Sequence, residues 1–132
     1  METPAPVELV RSSELTDVAP YAYAAVAHGV SRLVFTAGAC PLDANGNTVA
    51  IGDVAGQAEQ VMANLEVALR AAGAGLRDVV KTTVFVVDLA DFDIVNRIYG
   101  EHFEAPYPAR STVQVSALPR NALVEIEAIA RR

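Results

Sequence analysis

Between Val54 and Ala72 the apolar side chains fall at Val54, Ala58, Val61, Met62, Leu65, Ala68, Leu69 and Ala72. Steps of three and four keep them on one side of an α-helix. Asp53 stands where an N-cap belongs, and Gly73 where a left-handed residue would stop the helix. A second stripe, Phe92, Val95, Ile98, Tyr99 and Phe103, predicts another helix from about Asp91 to Phe103. Elsewhere the period becomes two. From Leu123 to Ala130, Val124, Ile126, Ala128 and Ala130 share one face, and Leu123, Glu125, Glu127 and Ile129 share the other. Val79 to Val87 is a continuous β-branched run, as expected of a strand covered on both faces. Tyr21 to Ala27 and Leu33 to Ala37 predict two more strands, separated by a His28-Gly29-Val30-Ser31 turn that suits a hairpin. Val7 to Arg11 suits a short edge strand within a loosely ordered segment, residues 1–14, that ends in the polar Ser12-Ser13-Glu14. Asp43 to Asn47 carries the strongest turn signal, and Pro106 and Pro108 force an extended path from Arg110 to Ser116. The predicted order is β-β-β-α-β-α-β-β. It implies an α+β fold with two helices packed on one face of a mixed sheet and the other face available to another subunit.

A chain of 132 residues closes one core of ordinary size, so residues 1–132 form a single expected domain. Its hydrophobic content of 52% and mean hydropathy of +0.29 are high for so small a domain, which points to apolar surface buried in a subunit interface. Ten Lys and Arg against sixteen Asp and Glu leave a net charge of −6. The only adjacent basic pair is Arg131-Arg132, so no nucleic-acid partner is expected. Cys40 is the only cysteine, which forbids an intrachain disulfide and suits a reducing, cytoplasmic compartment. Met1 to Val10 lacks the pattern of a signal peptide, and the longest charge-free stretch, Val18 to Ser31, is too short and interrupted for a membrane span. No membrane partner is expected.

No phosphate loop, dinucleotide fingerprint, cysteine pair or His-x-x-x-His is present, so chemistry without cofactor or metal is expected. Arg110 follows a stiff Pro-Tyr-Pro-Ala lead, which suits bidentate capture of a carboxylate; a surface salt bridge is the plainer alternative. Glu125 and Glu127 share a strand face, where a carboxylate can orient or deprotonate water, or simply face solvent. Cys40 has no base beside it in sequence, since His28 and His102 are both distant, and a buried structural thiol is favoured over a nucleophile. Tyr21 and Tyr23 point to one side of their strand, for packing or to line a pocket.

Four segments taken together resemble the RidA (YjgF-like, reactive intermediate deaminase) family. They are Asp78 to Val86; Asp88 to Phe92 with Val95-Asn96; Pro108-Ala109-Arg110-Ser111-Thr112-Val113; and Val124 to Ala130. The resemblance runs from Tyr21 to Ala130, and its last two segments are the most specific. It implies a chorismate-mutase-like homotrimer with ligand clefts between neighbours. It also implies cofactor-free hydrolysis of enamine and imine intermediates, of the 2-aminoacrylate and 2-iminopropanoate type, to 2-keto acids and ammonia. By the same resemblance, Arg110 matches the arginine that grips the substrate carboxylate and Glu125 the acid near the attacking water. Tyr21, Asn96 and Gly38 match residues of the cleft, with Ser111 and Thr112 beside the arginine. The chain departs from the family pattern at Ala37-Gly38-Ala39, where many members have Ser-Gly-Gln, at Thr112, where many have Cys, and at Ala22-Tyr23, where Ser-Gln is frequent. Those losses of polar groups bear on the substrate more than on the fold. Two other functions stay open at this point: a non-catalytic trimeric module that binds small carboxylates or a protein, and an endoribonuclease.

Overall fold

The computed structural model describes residues 7–15 and 20–132. What was expected of residues 1–6, and of the first part of the charge-free stretch, lies outside the described residues. The elements follow the predicted order: β1 (Val7–Val10), β2 (Ala24–Ala27), β3 (Leu33–Phe35), α1 (Val54–Ala71), β4 (Val79–Val86), α2 (Phe92–His102), β5 (Ala109–Gln114) and β6 (Val124–Arg131). β1 and β2 form an antiparallel pair, and the other four strands form a sheet ordered β3-β6-β4-β5. Only β4 and β5 run parallel, joined through α2 as a parallel pair requires. A bridge between Ala22 and Ala109 ties the small sheet to the edge of the large one.

The apolar stripes become one core. Val61, Met62, Leu65 and Leu69 of α1 and Val95, Ile98 and Tyr99 of α2 pack on Val124, Ile126, Ala128 and Ala130 of β6 and on Val84 and Val86 of β4. Both helices therefore cover one face of the sheet, as the two periods predict. α1 stops as expected: Gly73 adopts φ 78, its N–H donates to the Arg70 carbonyl at 3.0 Å, and the Ala74 N–H donates to the Leu69 carbonyl at 2.9 Å. These are the two bonds of a Schellman end. At the other end Asp53 has extended N-cap backbone but makes no side-chain capping bond. The buried Gln57 ties the helix down instead, accepting from the Leu123 N–H at 2.7 Å and donating to the Ala50 carbonyl at 3.3 Å.

Two expectations need correcting. Val79 to Val87 is not covered on both faces by this chain, because both helices lie on the same side. Val79, Thr82, Val84 and Val86 are buried there, and Lys81, Thr83 and Phe85 are half-buried on the opposite, outer face. Nor do β2 and β3 form a hairpin. β2 pairs with β1 and β3 pairs with β6, since Arg131 at the end of β6 captures the turn by donating to the carbonyls of His28 at 2.7 Å and Gly29 at 3.2 Å. The turn is thereby fastened to β6, and β3 runs back along it.

Candidate active site

Arg110 enters the sheet as the second residue of β5, in register with Thr82 of β4. Paired residues share a face, and Thr82 faces the helices, its Oγ1 2.7 Å from the Tyr99 hydroxyl. Arg110 therefore points to the helix side of the sheet edge. Its guanidinium carbon lies 4.9 Å from the ring centre of Tyr99, 5.3 Å from that of Tyr21 and 5.7 Å from that of Phe92. Tyr21 is brought there by the Ala22 N–H, which donates to the Pro108 carbonyl at 2.9 Å. Three aromatic rings around one cation supply attraction without supplying an anion.

The cation carries unused capacity. Nη1 of Arg110 is buried without a hydrogen-bond partner among the described residues, as is Oγ1 of Thr112, two residues along the same strand face. Burial holds the Arg110 pKa below the ordinary guanidinium value, with Tyr99 and Tyr21 partly opposing the shift. No carboxylate among the described residues forms an ion pair with it. Burial also pushes the Tyr99 phenol up to about 12, leaving a neutral hydroxyl beside the cation. Asn96, half-buried, sits four residues after Phe92 and three before Tyr99, on the α2 face that carries both rings. The aromatic wall was hidden in the sequence because Phe92 and Tyr99 satisfy a core stripe equally well.

The remaining predicted residues lie on the other face of the sheet. Glu125 is in register with Phe85, three residues beyond Thr82 along β4. An odd step along a strand reverses the face, so one chain does not bring Arg110 and Glu125 together. Gly38 lies against Glu125: a Cβ there would fall 2.6 Å from the carboxyl carbon. Cys40, half-buried, places Sγ 3.0 Å from Glu125 Oε1. The thiol is thus half-buried, and strand pairing carries a carboxylate 85 residues away to its side. Burial first, then the bond to Glu125, pushes the Cys40 thiol up to about 11, so it is a proton donor near neutrality and not a thiolate nucleophile. The histidines are engaged elsewhere, His102 with Glu59 at 2.7 Å and His28 near Glu8 at 3.5 Å. Ser111 also turns outward, its Oγ accepting from Lys81 Nζ at 2.9 Å. Glu127 lines a separate open concavity of about 240 Å³ with Phe35, Lys81 and Thr83.

A larger concavity of about 780 Å³ lies where the two helices end and β4 begins, and includes neither Arg110 nor Glu125 among its lining residues. Among the described residues, no cluster of three or more His, Cys, Asp or Glu is arranged to hold a metal ion. No described helix is long and apolar enough to cross a membrane.

The close fit at Gly38 gives a first prediction. Gly38→Ala should fold, because the displaced atoms belong to a flexible side chain, but it should swing the Glu125 carboxylate away from Cys40. A crystal structure of the variant with Glu125 unmoved would contradict this packing.

Residues 12–132 match the family model described as Endoribonuclease L-PSP. A human protein named 2-iminobutanoate/2-iminopropanoate deaminase is 39% identical over 113 residues, covering 86% of this chain and 80% of its own. Among solved structures, a Yersinia pestis protein of the conserved Rid family superposes with a TM-score of 0.88 at 30% identity, covering 97% of this chain and 100% of that one. E. coli TdcF with bound serine superposes with a TM-score of 0.70 at 39% identity, over 88% and 91% of the two chains. A match spanning nearly the whole chain, with the α+β architecture shared by those structures, means that the chain belongs to the YjgF/RidA family, the family of the endoribonuclease L-PSP model.

Proposed function

We propose that the protein is a cofactor-free hydrolase of small 2-imino acids and their enamine tautomers, with its sites formed between copies of the chain. One observation carries the reading: Arg110 is a half-buried cation in an aromatic cradle, with a buried Nη1 that lacks a partner among the described residues. A planar carboxylate suits that donor by charge and geometry. The human deaminase relative and the serine-bound relative are consistent with a small amino-acid-like ligand. Arg110 would hold the substrate carboxylate, with Thr112 and Asn96 beside it and Tyr21 over it. The iminium carbon, already electron-poor, needs only a positioned water. Glu125 of a neighbouring copy accepts a proton as the water oxygen bonds to that carbon. The resulting amino alcohol takes that proton on nitrogen and expels ammonia while its hydroxyl proton passes to the Glu125 carboxylate, which leaves the 2-keto acid.

The division of the site between the two sheet faces supports an assembly. A helix-side arginine of one copy meeting an outer-face glutamate of the next is a heterologous contact, the kind from which closed rings are built. The outer face offers apolar side chains for that contact, with Phe35 67% exposed and Leu33 54% exposed. The family resemblance implies a ring of three. Light scattering should give three times the chain mass of 13.9 kDa. A monomer at micromolar concentration would refute both the trimer and the shared site. A cytoplasmic setting, which keeps the single thiol reduced, belongs to the same proposal.

One observation favours a second reading, a carboxylate-binding module without turnover: Glu125 Oε1 is already occupied by the Cys40 thiol. The family model's endoribonuclease label is a poor match for a chain of net charge −6 with no basic run beyond Arg131-Arg132. Ammonia release from freshly generated 2-aminoacrylate, measured with and without the protein, separates these. Acceleration supports the hydrolase; keto-acid binding without acceleration supports the module.

A further inference from the structure

The occupied oxygen of Glu125 has a use within the hydrolytic reading, on which this inference rests. We propose that Cys40 is a positioning residue: its S–H donates to Oε1 of Glu125, fixes the carboxylate plane, and leaves Oε2 as the acceptor for the attacking water. The separation of 3.0 Å is short for a sulfur donor, and the pair is enclosed from several sides. Gly38 leaves room for the carboxylate where any side chain would collide with it. Asn64 of α1 donates to the carbonyls of both Cys40 and Leu42 at 2.9 Å, so the turn that carries the thiol is tied to the helix. Ala39, between Gly38 and Cys40, bonds Ile126 in both directions, its N–H donating at 2.7 Å and its carbonyl accepting at 3.2 Å. That ladder holds the thiol segment in register with the residue next to Glu125. The charged groups facing the thiol are Glu125 of β6 and Arg120 of the turn before it, the first raising the thiol pKa and the second lowering it.

Cys40→Ala removes the donor, and Cys40→Ser retains one. In the assembled protein, Cys40→Ala should lower kcat for imine hydrolysis about tenfold while keto-acid affinity stays within about twofold. Cys40→Ser should restore most of the lost kcat. A bystander role predicts an unchanged kcat in Cys40→Ala, or a loss that serine does not rescue, and either result would overturn the proposal. A second measurement needs no turnover. Because Cys40 is the only cysteine, the rate of its alkylation by iodoacetamide against pH reports its ionisation alone. The parent should titrate near 11, and Glu125→Gln should titrate lower, since a neighbouring negative charge has been removed. Equal titration in the two proteins would show that the thiol and the carboxylate do not interact. If the titrations differ but the parent releases no ammonia, the contact stands and the hydrolase reading fails.

Discussion

Arg110→Ala should reduce hydrolysis of 2-iminopropanoate at least tenfold to a hundredfold and weaken binding of a stable 2-keto acid by a similar factor. The expectation follows from the surroundings of the guanidinium. Phe92, Tyr99 and Tyr21 shield part of it from water, and no carboxylate among the described residues pairs with it. A charge-assisted bond in such a place is worth about 1.5 to 3 kcal/mol, which is one to two factors of ten. Arg110→Lys should fail almost as badly. It keeps the charge but replaces a planar fork with a point donor, and an ammonium gains less from stacking on rings. Without ligand, the same residue should be a liability to the fold. Arg110→Met keeps much of the volume and removes a half-buried cation without a counter-ion among the described residues, so it should leave thermal stability unchanged or raised. Loss of function with retained or improved stability would mark Arg110 as a residue kept for its ligand. Unchanged keto-acid affinity in Arg110→Ala would remove the anchor from the account.

The sequence already contained much of this arrangement, and what it hid was hidden for physical reasons. Stripes at three and four residues identify α1 and α2 because each helix has one buried side, and the alternation in β6 identifies its covered face. Strand partners are less visible. The turn at Gly29 reads as a hairpin locally, yet Arg131, more than a hundred residues later, decides where the chain goes. The stiff approach to Arg110 is evident from its prolines, but its direction depends on register with Thr82, and nothing local encodes that register. The same limit applies to Cys40, whose nearest histidines in sequence are irrelevant and whose true neighbour, Glu125, is brought by strand pairing. Phe92 and Tyr99 illustrate a different ambiguity. An aromatic on the core stripe of a helix can equally form the wall of a site if it lies at the edge of the sheet.

Glu125→Gln should separate chemistry from binding. The amide keeps the shape and can still accept from Cys40, but it cannot take the proton of an attacking water, so turnover should fall tenfold or more at nearly constant keto-acid affinity. A parallel loss of affinity would instead make Glu125 part of the anchor. With Arg110→Ala, this variant also permits a test of the shared site. Arg110 and Glu125 project from opposite faces of one sheet, and the proposed site takes its arginine from one copy and its glutamate from another. The most direct measurement is the ammonia-release rate of trimers reassembled from equal amounts of Arg110→Ala and Glu125→Gln chains, each expected to retain a tenth of the parent rate or less alone. Random mixing in a closed ring should place an intact arginine against an intact glutamate at about a quarter of the interfaces, so about a quarter of the parent rate should return. Mixed trimers no more active than the separate variants would contradict the shared site and the function built on it.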